Sequence, residues 1–129
     1  MYYLFFHYLF IIYLLIFLIP NLKLYTDLLT SNVKTPIIKS NRFSAWAQFT
    51  VKVNNRDTLQ ARLKNNGIPT AVYYPMSLHL QECFQYLNYK QGDFPISEKA
   101  SNEVMSLPMN SFLTNEQVDY VVSKIQENI

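Results

Sequence analysis

Two regimes of hydrophobic patterning meet near Pro20. Residues 2–19 are an apolar and aromatic run interrupted only by His7, free of Asp, Glu, Lys and Arg, with no period that sets one face apart from another. Beyond it, apolar positions recur at the spacings of strands and helices. Alternation from Ala45 to Val53 puts Ala47, Phe49, Val51 and Val53 on one side and Gln48, Thr50 and Lys52 on the other, which predicts a half-buried strand. Asn54 or Asn55 then offers a cap for a helix that carries Leu59 and Leu63 on one face and ends at Gly67, a residue suited to the left-handed position past a helix C-terminus. A second strand is expected at Thr70 to Tyr74, stopping at Pro75.

Asp93 followed by Pro95 marks a helix start, and a helix through about Val104 sets Ile96, Ala100 and Val104 in one stripe. A short Ser106-Leu107 strand stops at Pro108. Thr114 with Gln117 forms a capping box, after which Val118, Val121, Val122 and Ile125 follow at helical spacing. The order is strand, helix, strand, helix, helix, with the short strand before the last helix. It predicts one compact α+β domain without linkers or repeats.

The chain therefore divides into an apolar head, residues 1–24, and a folded unit, residues 25–129. The head is long enough at its lower limit to cross a bilayer as a helix, and Lys23, Lys34 and Lys39 would then hold the rest of the chain in the cytoplasm. A cleavable signal fits less well, since no basic residue precedes the run and Ile19-Pro20-Asn21 is not a small-residue cleavage site. Its wealth of Tyr, Phe, Ile and Leu equally fits the translation of AT-rich DNA after a frameshift or a misplaced start. Both readings stay open, so the expected location is cytoplasmic, with anchoring through residues 2–19 as the alternative.

Charge and reactive groups narrow the picture mostly by exclusion. Eleven basic against nine acidic residues give a net charge of +2 without any basic run, which argues against nucleic-acid binding. The single cysteine, Cys83, excludes an internal disulfide framework and a multi-cysteine metal site. No glycine-rich phosphate loop, histidine pair at metal spacing or Gly-x-Ser-x-Gly elbow occurs. His79 and Cys83 lie four residues apart, yet a lone cysteine reads as a small buried hydrophobe rather than a nucleophile. Trp46, Tyr86 and Tyr89 read as core or interface packing rather than platforms for a nucleotide base. Arg56 and Arg62 with Asp57 read as a solvated helix face.

What stands out is Gly67-Ile-Pro-Thr-Ala-Val-Tyr-Tyr-Pro-Met-Ser-Leu-His-Leu-Gln81. This segment resembles the motif of the DegT/StrS-type nucleotide-sugar aminotransferases, in which a Gly-Ile-Pro-Thr turn and a strand lead into a His/Tyr-Tyr-Pro-x-x-Leu-His loop. Ser44-Ala-Trp-Ala-Gln-Phe-Thr50 resembles the family's Ser-x-Tyr-Ala-Gln-Tyr-Thr strand, and Asn55-Arg56-Asp57 with Leu59-Gln60 resembles the helix after it. Gly92-Asp-Phe-Pro95 with Glu98 and Ser101, and Glu103-Val-Met-Ser-Leu-Pro-Met109, resemble its closing helix and Leu-Pro strand.

The resemblance implies the small C-terminal domain of a fold-type-I aminotransferase. In the intact family a large domain holds pyridoxal phosphate on a lysine, with an acidic residue at the pyridine nitrogen, and a homodimer completes the site. The eight lysines of this chain lie outside any stretch resembling that lysine motif, so no catalytic or cofactor-binding residue is expected here. The resemblance carries over Tyr73, Tyr74 and His79 as residues on the substrate side, with Tyr73 standing where close relatives often have histidine. A nucleotide-sugar substrate of surface-polysaccharide pathways, an amino acid such as glutamate as donor, and a large-domain partner follow as expectations. Two functions remain: part of such an enzyme, inactive alone, or a membrane-tethered binding domain that has lost catalysis.

Overall fold

The computed structural model describes residues 21, 23–29, 32–42, 44 and 46–129. The apolar head, residues 2–19, lies outside the described residues, as does Ala45. After a helical stretch at residues 23–28, the elements run β1 (Phe49–Lys52), α1 (Arg56–Asn65), two 3-10 turns (Leu78–Leu80 and Glu82–Leu87), α2 (Pro95–Glu103), β2 (Val104–Leu107) and α3 (Asn115–Gln126). This is a small α+β domain.

The sheet is built on β1 and β2, antiparallel, with Phe49 opposite Leu107 and Val51 opposite Met105. Single bridges extend it on both sides, Lys34 to Lys52 and Ala71 to Ser106. One face carries Phe49, Val51, Met105 and Leu107, all buried, and is covered by Leu59 and Leu63 of α1 and by Val118, Val121, Val122 and Ile125 of α3. The helical stretch before β1 belongs to the same core: Tyr25 is fully buried, stacks on Phe49 at 5.2 Å between ring centroids, and donates its hydroxyl to Pro108 O at 3.0 Å. Burial pushes its phenol pKa well up. Asn21 donates from Nδ2 to Asn110 O and Leu113 O, which ties the segment to the loop before α3.

Several elements end where the sequence predicts. Gly67 takes φ 73°, Gly67 N donates to Lys64 O and Ile68 N to Leu63 O, so the carbonyls at the end of α1 are satisfied by a Schellman turn. At α3 the capping box is complete, Gln117 N donating to Thr114 Oγ1 and Thr114 N to Gln117 Oε1.

Other expectations are corrected. The strand expected from Ala45 starts at Phe49, because Trp46 takes φ 49° and breaks the alternation. Trp46, not Ala47, is therefore the buried residue, its ring 5.8 Å from Phe49. Asn55 occupies the N-cap of α1 in a left-handed conformation, without a capping bond from its side chain. The strand expected at Thr70 to Tyr74 is reduced to the Ala71 bridge. Continuing that register puts Pro69 opposite Pro108, and neither has an N–H to lengthen the ladder.

Helix α2 ends one residue before Val104, which instead opens β2, so the stripe of Ile96, Ala100 and Val104 does not form and Ile96 is 86 % exposed. Arg56 is not on a solvated face: it is 4 % exposed, with Nη1 donating to Val104 O at 2.8 Å and Nε to Asp57. The core reading of Tyr86 and Tyr89 also fails, both being exposed.

Leu63→Ala empties a fully buried site under the sheet and should cost about 2–5 kcal/mol. Thr114→Ala, which removes one arm of an exposed cap, should cost about 1 kcal/mol. Urea denaturation of the two variants checks the order, and equal losses would mean that α1 does not pack as described.

Candidate functional site

The Tyr73 to Leu80 segment owes its shape to its two ends. At the first, Ala71 exchanges both backbone hydrogen bonds with Ser106, at 3.1 and 2.7 Å. The second end is pinned to α2: Ser97 Oγ donates to Ser77 Oγ at 3.2 Å, and His79 Nε2 lies 3.0 Å from Glu98 Oε1. Between these ends Tyr73 and Tyr74, joined by a cis peptide, stand 53 % and 65 % exposed, with Met76 beside them.

His79 is placed differently from the tyrosines. Its side chain is only 8 % exposed, its ring is 4.8 Å from that of Phe94, and its Nε2 is engaged by Glu98. The Glu98 carboxylate also accepts from Gly92 N at 2.8 Å and Phe94 N at 3.3 Å. The Gly92 amide first, with His79 and the Phe94 amide behind it, holds the Glu98 pKa below the usual carboxylate value. Spacing alone does not reveal this pair, since nineteen residues separate the partners and no helical or strand period joins them. Cys83 shares no face with His79, because Gln81, in extended conformation, separates the two 3-10 turns; the thiol is exposed.

A shallow cleft of about 260 Å³ opens beside Tyr73, with Gln48, Thr70 and Ser106 as its other polar lining and Pro69, Pro108 and Met109 among the apolar ones. No lysine and no carboxylate lines it. The described residues beside the rim thus do not fit pyridoxal phosphate, which needs an amine for its aldehyde and an acid for its ring nitrogen. Among the described residues no cluster of His, Cys, Asp and Glu could hold a metal ion. Nor is any helix of the described residues long and apolar enough to cross a membrane.

The sequence matches the model of the DegT/DnrJ/EryC1/StrS aminotransferase family over residues 19–126. The chain belongs to that family. It is 50 % identical over 95 residues to the "Pleiotropic regulatory protein" of Geobacillus stearothermophilus, covering 74 % of this chain and 26 % of that protein. It is 37 % identical over 93 residues to the UDP-2-acetamido-2-deoxy-3-oxo-D-glucuronate aminotransferase of Pseudomonas aeruginosa, covering 72 % of this chain and 25 % of that protein. The crystal structure of a family aminotransferase from Brucella abortus superposes with a TM-score of 0.80 at 32 % identity, over 88 % of this chain and 31 % of that one. The chain thus spans about a quarter of the length of the curated relatives it matches.

A larger cavity of about 630 Å³ lies at the other end of β1, lined by Lys34, Lys52, Lys99, Arg62 and Glu103. Lys52 Nζ is 2.7 Å from Glu103 Oε2 and Lys99 Nζ 3.9 Å from Oε1. Lys52, followed by Lys99 and Lys34, holds the Glu103 pKa below its usual value. A carboxylate depressed by folding contributes stability that is present above its unfolded pKa and lost as pH falls through the folded one. Glu103→Gln should therefore lower stability at neutral pH, flatten the acid limb of the stability profile, and recover partly in high salt, which screens the three remaining ammonium groups. Denaturation followed across pH at two salt concentrations measures this, and an unchanged acid limb would refute it.

Proposed function

We propose that residues 25–129 serve as the C-terminal small domain of a pyridoxal-phosphate-dependent nucleotide-sugar aminotransferase, and that this chain is not a transaminase by itself. The observation that carries the reading is exposed Tyr73 at the edge of a cleft lined by no amine, with exposed Tyr74 next to it in the chain, in a chain of this family. Pyridoxal phosphate, bound to a large domain, would supply the electron sink for amino transfer. The part of this chain is to shape the substrate side: the phenol groups of Tyr73 and Tyr74 can hydrogen-bond sugar hydroxyls while their rings exclude water from one wall.

The name of the Pseudomonas aeruginosa relative specifies a 3-oxo sugar nucleotide, which supports a keto nucleotide-sugar as the substrate class and an amino acid, glutamate by resemblance, as donor. Exposed Met76, Leu78, Tyr86, Leu87 and Ile96 supply the apolar surface that a large domain would cover.

Two measurements test the reading. Borohydride reduction of the purified chain with pyridoxal phosphate should leave no label concentrated on one lysine; a single labelled lysine would overturn the claim of inactivity alone. The large domain of the Pseudomonas aeruginosa relative, made as a separate chain and mixed with this one, should regain transamination of that relative's substrate. Tyr74→Ala should then lower kcat/KM about tenfold or more, while Asp119→Ala, at an exposed position of α3, changes it little. A well-folded pair that binds without activity would overturn the proposed function, and equal effects of the two substitutions would remove Tyr74 from the substrate side.

A further inference from the structure

We infer that His79 and Glu98 form a positioning pair that sets the Tyr73-Tyr74 rim against the Gly92 to Phe94 loop, so that His79 acts through Glu98 rather than on a ligand. The significance of this pair for catalysis rests on the proposed function; the positioning itself does not.

The geometry assigns the pair its role step by step. A carboxylate offers lone pairs enough for several donors, and Oε1 of Glu98 accepts three: His79 Nε2 at 3.0 Å, Gly92 N at 2.8 Å and Phe94 N at 3.3 Å, with Gly92 N also 3.1 Å from Oε2. One side chain on the first turn of α2 thereby joins the turn at residues 78–80 to the loop at residues 92–94. The Phe94 ring closes over the imidazole at 4.8 Å and meets Tyr89 edge-on at 5.0 Å, so the contact is shielded from water on that side. With side chains 8 % and 15 % exposed, neither partner can replace the other with solvent at no cost.

Nearby, buried Ser77 is held by Ser97, a second link from the same helix turn to the same segment. The rim is therefore suspended between β2, through Ala71, and α2, through Ser77 and His79. Residues 73–76 between these anchors are all exposed; Gln81 Nε2 donates to Met76 O at 3.4 Å, and among the described residues no hydrogen bond from the Tyr73 or Tyr74 hydroxyl restrains them. Their position follows from where the two ends are held. His79 Nε2, engaged and covered, is not offered to a sugar or a phosphate.

Amide hydrogen exchange on the full chain tests the pair directly. His79→Leu should speed exchange at Gly92, Phe94 and Leu80 about tenfold to a hundredfold, the range expected for losing a hydrogen bond to a charged group, while Val51 and Met105 in the β1–β2 ladder keep their protection. His79→Gln, which keeps an N–H donor at similar reach, should restore slow exchange. If His79→Leu loses protection everywhere, Glu98→Asp, which keeps the charge and withdraws it by one methylene, provides the same readout. Unchanged exchange at Gly92 and Phe94 in both variants would overturn the inference.

In the mixed enzyme described above, His79→Leu should raise KM for the sugar nucleotide about tenfold with little change in kcat, and His79→Gln should rescue it. A fall in kcat at unchanged KM that Gln does not rescue would instead make His79 a catalytic residue and overturn the positioning role. Absence of activity in the unsubstituted mixture counts against the proposed function alone, and the exchange data still decide the positioning role.

Discussion

The pairing of β1 with β2 is the contact on which the rest of this domain depends. Two strands of four residues, fifty-six positions apart at the Thr50 and Ser106 pair, are too short to persist in water by themselves. They persist because one face of the pair is closed by Tyr25, α1 and α3, which bring Leu59, Leu63, Val118, Val122 and Ile125 against Phe49, Val51 and Met105. Thr50 and Ser106 settle their hydroxyls on each other at 2.9 Å on the other side. Ser106 then serves a second partner, accepting from and donating to Ala71, and this bridge launches the Tyr73-Tyr74 segment from a fixed point.

Covered and uncovered surfaces divide along the chain. Residues that close the core come from the helical stretch before β1, from α1, β2 and α3. The middle of the chain, residues 73–96, has two short 3-10 turns and leaves large side chains such as Leu78, Tyr86 and Ile96 in the open. Little apolar burial holds this region, so its order comes from polar links, with the Glu98 carboxylate collecting the imidazole and two amides. An exposed apolar stretch held by internal hydrogen bonds is suited to docking, since it is shaped in advance and its burial is still available to a partner.

Much of the fold is legible in the sequence because it is local. The alternation of Phe49, Val51 and Val53, the Gly67 turn, the Thr114 and Gln117 box and the Val118 to Ile125 stripe each depend on residues within a few positions of one another. The short Leu-Pro strand is legible for the same reason: Pro108 has no N–H to donate. Sequence also names the family, through blocks whose order and spacing match, and the family match over residues 19–126 agrees. By contrast, the stripe drawn through Ile96, Ala100 and Val104 mistakes a helix end, because pairing of Val104 with Lys52 outweighs one more helical turn.

The sequence by itself determined the strand before α1, the three helices, the Gly67 turn, the Thr114 capping box and the family. Only the tertiary structure decided that Arg56 is buried against Val104 O, that Trp46 rather than Ala47 enters the core, and that the imidazole of His79 is engaged by Glu98. For Arg56 and His79 the physical reason is separation: caps and periodic faces join neighbours in sequence, whereas these two outcomes arise where distant segments meet, forty-eight residues apart for Arg56 and Val104 and nineteen for His79 and Glu98, while Trp46 enters through its own left-handed backbone. A charged or aromatic side chain takes its burial from what the fold brings beside it, and no spacing along the chain encodes that neighbour.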